Sequence, residues 1–229
     1  MNKKFTSKVL DYFGREALRW ERNYEKNGPM RYRIELFVNA LTRRLSPGAR
    51  VLDLGCGTGD VSYAIMGKGM KVTGCDISAS MIDKARNRFK GDNISFLCLD
   101  SNNIPNLPFE DNLFDAVVAS SVFEYLLEPV KQLSEIKLVL KPSGYVMFTV
   151  PDMRHHVRIR EKRRIALLKI FPLGFLVRIT PWKSTFNYLS LSVNRLELEQ
   201  CIEMLESLHL KPETAPPCAG TMALLIAQK

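Results

Sequence analysis

The sequence predicts an α/β fold in which helices cover both faces of a mostly parallel sheet whose last strand runs antiparallel. Three observations lead there. From Val51 onward, short apolar runs alternate with amphipathic stretches at helical spacing for about a hundred residues. A glycine-rich turn, Gly55-Cys-Gly-Thr-Gly59, joins the first run to the stretch after it. The chain then closes on a helix followed by two apolar strands, an order that adds an antiparallel edge. At 229 residues, 46% hydrophobic, the chain is long enough for the core of one domain and matches one better than two.

Each element follows in order. Residues 1–45 read as a helical lid: Val9, Phe13, Ala17, Trp20 and Tyr24 recur at spacings of three or four, and a Gly28-Pro29 break precedes a second helix through about Leu45. Residues 46–150 form the core, with strands expected near 50–54, 71–75, 94–98, 113–119 and 144–150. Helices are expected near 59–68, 78–90 and 129–140; Ser78 suits the N-cap of the second, and Lys141-Pro-Ser-Gly144 stops the third. Residues 151–190 break the repeat and read as an inserted cap. Residues 191–229 supply a helix near 194–208, a strand near 210–214 and the strand Met222-Ala-Leu-Leu-Ile-Ala227.

The net charge of +9 is uneven: residues 1–50 carry +7 and residues 151–183 carry +7, while residues 51–150 carry −3. The predicted core is therefore mildly acidic, and the basic excess sits in the lid and the insertion. The five cysteines are widely spaced with no CxxC pair, which predicts free thiols and a cytoplasmic setting. No run of about 18 uncharged apolar residues occurs, so neither a signal peptide nor a spanning helix is expected.

The chemistry gathers at predicted strand ends. Asp53 lies in the first strand two residues before Gly55, where a carboxylate suits the amino-acid end of a zwitterionic ligand and opposes a pyrophosphate. Asp76 ends the next strand, in Val72-Thr-Gly-Cys-Asp-Ile-Ser78, placed to accept from both ribose hydroxyls, with Ile77 over one adenine face. Asp100 follows the third strand in Phe96-Leu-Cys-Leu-Asp100-Ser101, within reach of the adenine amino group.

Together with Ile104-Pro, Leu107-Pro-Phe109, Phe114-Asp-Ala-Val-Val118 and Leu138-Val-Leu-Lys-Pro-Ser-Gly144, these motifs make residues 45–150 resemble the class I S-adenosylmethionine-dependent methyltransferases, in the small-molecule branch that includes quinone-biosynthesis and natural-product enzymes. The resemblance implies a Rossmann-like sheet of seven strands with a reversed final hairpin. It implies cofactor contacts at Asp53, Gly55, Cys56, Gly57, Thr58, Gly59, Asp76, Ile77, Asp100 and Ser101, with Ser120 near the methyl donor. In Ser121-Val-Phe-Glu-Tyr-Leu126, Glu124 or Tyr125 stands where many members of the family have histidine.

Methyl transfer draws on proximity and orientation and does not always require a base. Candidates for a base are His155 and His156, just after the fifth strand, Glu124 and Tyr125, after the fourth, and Tyr12 and Tyr24 on the N-terminal helix; each also has a plain structural reading, as solvated loop residues, a capping acid or packing rings. The insertion is densely basic from Arg154 to Arg164 and apolar from Ile165 to Ile179, broken at Pro172 and Gly174. Three readings fit it: a cap lining a hydrophobic pocket, a peripheral membrane contact through 154–179, and a dimer contact. The cap is favoured.

The function expected is methylation of a small, lipophilic, acid-bearing metabolite, O-methylation preferred over C-methylation. Two alternatives are a non-catalytic or membrane-docked cofactor-binding protein and a nucleic-acid methyltransferase. The second lacks an Asn/Asp-Pro-Pro-Tyr/Phe sequence after the fourth strand, so no nucleic acid is expected as a partner. Cys218, after two prolines, reads as a loop cysteine. Asp152 alone makes no magnesium site, so no metal is expected.

Overall fold

The computed structural model describes residues 3–168, 191–213, 218–219 and 221–229. Eight strands form one sheet: β1 (Arg50–Leu54), β2 (Lys71–Asp76), β3 (Ile94–Cys98), β4 (Phe114–Ala119), β5 (Leu140–Pro151), β6 (Lys211–Pro212), β7 (Cys218–Ala219) and β8 (Met222–Gln228). Seven follow the order β3-β2-β1-β4-β5-β8-β6, and the short β7 pairs with β8 off that path. Strands β1 to β5 pair in parallel, and β8 runs antiparallel to both β5 and β6. The expected seven-stranded sheet with a reversed end is thus present, plus one two-residue strand.

The strand order places β1 between β2 and β4. The crossovers leave β1 in opposite directions, so a crevice opens at the carboxyl ends of these strands, where α/β sheets bind ligands. Two apolar layers hold the sheet rigid beneath that crevice. One, built on Leu52, Val117, Phe123, Leu133, Ile136 and Phe148, packs α5 (Pro129–Val139) against the sheet. The other, on the opposite face, joins Val51, Val72 and Met147 to α2 (Arg31–Thr42), α3 (Asp60–Met66) and α4 (Ala79–Arg88).

Several elements differ from the expectation. The single first helix is α1 (Lys3–Glu16) followed by a separate 3-10 turn, η1 (Trp20–Tyr24). The amphipathic stripe runs through both, because a turn that keeps the same face buried leaves the apolar spacing unbroken. Ser78 stands at the N-cap of α4 without a side-chain capping bond; its Oγ lies 3.0 Å from Ser80 Oγ. Lys141-Pro-Ser-Gly144 does end α5, yet it also belongs to β5, whose register shifts against β4 there. The helix expected near 194–208 begins at Leu198 (α7, Leu198–Ser207), where Glu197 and Gln200 form a capping box.

Of the insertion, α6 (His156–Leu168) is a helix. The Pro172–Gly174 break and residues 169–190 of the apolar stretch lie outside the described residues, as do residues 214–217 before Cys218.

Candidate functional site

A cavity of about 170 Å³ opens at the carboxyl ends of β1, β2 and β4. The glycine loop forms its floor. Gly55 has φ +71° and the Val122 side chain 2.4 Å from where a Cβ would stand, so any larger residue would collide and strain the turn. Gly59 has φ +83° and meets Phe96 in the same way, which lets α3 start close against the sheet. The Gly55 and Cys56 N–H groups donate to the Cys75 carbonyl at 2.7 and 3.0 Å, tying the loop to β2. Arg88 clamps it from α4: its guanidinium grips both Asp60 oxygens at 2.7 and 2.9 Å and donates to the Thr58 carbonyl at 3.1 Å.

Asp53 and Asp76 both line the cavity. Asp53 is buried; Ser62 Oγ donates to its Oδ2 at 2.6 Å, while Oδ1 has no partner. Burial pushes its carboxyl up to about 7, against the pull of the Ser62 hydrogen bond, and the nearby Asp76 charge raises it further. Asp76 accepts from the Gly57 N–H at 3.0 Å and the Ser78 N–H at 2.8 Å, which fix its plane toward the cavity. Burial raises its pKa too, opposed by those backbone donors.

The N-terminal segment roofs the site. Phe5, Val9, Leu10 and Phe13 of α1 line it, and Phe13 meets Trp20 edge-on at 5.4 Å and Tyr125 at 5.1 Å. Trp20 Nε1 lies 3.4 Å from where a Cβ on Gly57 would stand, so η1 rests directly on the glycine loop. Lys84 donates to the Leu18 carbonyl at 3.1 Å, and Glu21 sits between Lys84 and Arg88 at 3.5 and 3.4 Å, which pins the roof to α4.

Of the residues expected from the sequence, Asp53, Gly55, Cys56, Gly57, Asp76, Ile77, Ser120 and Tyr125 line this one cavity. Thr58 and Gly59 lie behind it; the Thr58 hydroxyl donates to Asp60 at 2.6 Å. Asp100 is exposed and accepts from the Asn102 N–H at 2.9 Å, closing a turn, and neither it nor Ser101 is among the lining residues. Glu124 is buried away from the cavity, where Ser192 Oγ donates to it at 3.4 Å. His155 Nδ1 accepts from the Val157 N–H at 3.3 Å at the start of α6, the His156 ring lies 4.4 Å from it, and neither lines the cavity. Among the described residues no group of three or more His, Cys, Asp or Glu side chains is placed to hold a metal.

The cavity also holds Gln132 and Arg33, which the sequence did not mark as site residues, and Tyr24, which it marked only as a candidate base. Gln132 lines the opening and donates to the Pro105 carbonyl at 3.1 Å, holding the 104–107 loop over α5. Tyr24 is buried, and burial raises its pKa despite Arg33 beside it. Ser120 Oγ approaches that phenol without reaching hydrogen-bond geometry. Arg33 is 7% exposed on α2. It shares a stripe with Phe37 and Leu41, at spacings of four, and a charge on that apolar stripe is the one sequence signal that could have found it.

Residues 52–148 match the family model described as a methyltransferase domain. The chain is 39% identical over 125 residues to a demethylmenaquinone methyltransferase of Clavibacter sepedonicus, over 52% of this chain and 50% of that protein. It is 34% identical over 104 residues to a ubiquinone biosynthesis O-methyltransferase of Coxiella burnetii, over 44% and 43%. The matched segments thus span about half the length of these curated relatives, or less. Magnesium protoporphyrin IX methyltransferase from Synechocystis PCC 6803, solved with bound SAH, superposes with a TM-score of 0.72 at 17% identity, covering 98% of this chain and 99% of that one. Residues 52–148 are thus similar to a methyltransferase domain, and the chain shares the Rossmann-like fold of that solved methyltransferase.

Proposed function

We propose that this protein transfers a methyl group from S-adenosylmethionine to a small lipophilic acceptor, at oxygen in preference to carbon. The observation that carries the reading is one cavity with two chemically distinct walls. Asp53, the glycine loop and Asp76 supply acceptors and bare backbone suited to an amino acid and a ribose. Phe5, Leu10, Ile104, Leu107, Leu126 and Leu127 line it with apolar surface. The curated relatives named for quinone pathways support a lipophilic acceptor, and they include an oxygen methyltransferase.

The cofactor supplies a methyl group on a sulfonium, an electrophile that reacts with a nucleophile aligned behind the carbon. The chain's own residues bind and align. Asp53 Oδ1 takes the ligand's ammonium, Asp76 takes the ribose hydroxyls, and Ile77 covers the adenine. Tyr125 and Ser120 stand at the carboxyl end of β4, where the acceptor meets the methyl donor. The roof of α1 and η1 excludes water, which makes orientation the main source of rate. Glu124 acts as a positioning residue, holding residues 192–194 against the end of β4: besides the Ser192 bond, its carbonyl accepts from the Asn194 N–H at 3.1 Å.

Calorimetric titration with S-adenosylmethionine, S-adenosylhomocysteine and NAD tests the cofactor. Saturable binding of the first two and none of NAD is expected. Mass-spectrometric detection of methylated product from quinols, phenols and long-chain acids then tests the acceptor. Binding of NAD alone would overturn the reading, and cofactor binding with no methylated product from any acceptor would favour a non-catalytic role.

A further inference from the structure

Four residues other than glycine hold a positive φ among the described residues: Asn112, Ser121, Ser143 and His209. Asn112, Ser143 and His209 are exposed. Ser121, at φ +55°, is half-buried and lines the cavity at the carboxyl end of β4. A serine in that conformation carries a Cβ penalty that glycine would not. Its backbone N–H donates to Thr149 Oγ1 of β5 at 2.8 Å, a bond that glycine would keep. The side chain makes no such bond: its Oγ is buried and has no hydrogen-bond partner among the described residues. The adjacent Ser120 Oγ is in the same state. A strained backbone and a buried, unpartnered hydroxyl thus coincide at one residue of the cavity wall, and the hydroxyl stays costly until a ligand supplies its partner.

We propose that the Ser121 hydroxyl binds an uncharged oxygen, hydroxyl or carbonyl, of the methyl acceptor and so sets the orientation in which that molecule meets the methyl donor. The inference rests on the methyltransferase reading and deepens it. Two observations assign the hydroxyl to the acceptor and not to the cofactor. Strand order sets β4 and β5 on the side of β1 away from β2, and the Thr149 bond holds Ser121 toward β5, away from Asp76. Val122, Tyr125, Leu126 and Leu127, which follow it along the cavity wall, are uncharged, so this stretch offers a lipophilic molecule apolar contact with one polar anchor. A serine hydroxyl both donates and accepts, so it pairs with either kind of uncharged oxygen. A serine that only shaped the turn would be replaceable by glycine with no effect on ligand choice.

The test compares the full chain with Ser121→Gly, Ser121→Ala and Ser121→Asn, each saturated with S-adenosylhomocysteine and checked by melting temperature. The probes are 2-naphthol and naphthalene, which differ by one hydroxyl. Wild type is expected to prefer 2-naphthol by about five- to tenfold, the worth of one hydrogen bond. Ser121→Gly relieves the positive φ and should melt no lower than wild type. It should nonetheless lose most of the preference, by binding 2-naphthol more weakly and naphthalene equally well. Ser121→Ala should lose it too, and Ser121→Asn, which tolerates this backbone and keeps a polar group, should recover part. S-adenosylhomocysteine affinity should be unchanged in all three. A wild type with no preference between the probes, whether both bind or neither, overturns the proposal, as does a preference that survives in Ser121→Gly. Weaker S-adenosylhomocysteine binding by Ser121→Gly at an undiminished melting temperature would assign the hydroxyl to the cofactor and overturn it as well. If wild type does not bind S-adenosylhomocysteine, the cofactor reading fails separately, and the same probe comparison on the free proteins decides the Ser121 site.

Discussion

Asp53 is placed where ionisation is costly until a cation arrives. Its carboxyl titrates at about 7 because it is buried, so below that pH it is largely protonated in the empty protein. An ammonium bound at Oδ1 favours the charged form. Ligand binding must then release a proton below pH 7, and S-adenosylhomocysteine affinity should rise with pH by up to about tenfold per unit below 7 and level off above it. Calorimetry from pH 5.5 to 8.5 reads this directly, and Asp53→Asn should bind more weakly with a flat profile over that range. The same shift acts on the empty fold with opposite sign. A carboxyl raised from 3.8 contributes stability below about pH 4, which is lost progressively as the pH rises toward 7. Asp76 offers a second check: Asp76→Ala should weaken cofactor binding by ~1–3 kcal/mol through lost ribose hydrogen bonds. Both acids were legible in the sequence as cavity residues because each stands at or near a strand end beside the glycine turn. Arg33 was not, since a basic residue in a basic helix reads as solvated until its neighbours Phe37 and Leu41 are seen to be buried. Asp100 illustrates the converse, a strand-end acid whose carboxylate closes its own turn through Asn102.

The core elements were legible because each is written by local periodicity: β1, β2, β4 and β8 are apolar runs with almost every residue buried or half-buried. The roof was less so. Nothing at Ala17, Leu18 or Arg19 breaks a helix by composition, yet α1 ends before them. There η1 gains contacts to α4 and the glycine loop that a straight helix would forgo. The aromatic chain Tyr12, Phe13, Trp20 and Tyr125 then carries the joint between roof and site. Phe13→Ala should cost about 1–2 kcal/mol, from two or three edge-to-face contacts. Amide exchange should speed up within residues 3–24 and stay unchanged in β1 and β4. Equal acceleration throughout the sheet would show that the roof is not a separable unit.

At the scale of the molecule, ligand and fold are linked. A ligand held by β1, β2, β4, α1 and η1 together binds only the folded chain. At a hundred times its dissociation constant it should stabilise by about 2.7 kcal/mol. For a chain of this length that corresponds to a rise in melting temperature of about 5–11 °C. A thermal-shift series in S-adenosylhomocysteine checks it, with no rise expected in NAD.

The position of β8 has a consequence for how the chain is made. It pairs with β5 over seven residues and separates β5 from β6, although it follows both in the sequence. Translation proceeds at roughly 5–20 residues per second, so β5 waits for several seconds with one edge unpaired before its partner emerges. That edge runs through Val146, Met147, Phe148 and Val150, all buried in the finished sheet. A nascent chain stalled before Met222 would present it as a template for strand addition, the situation in which chaperones and proteases compete with folding.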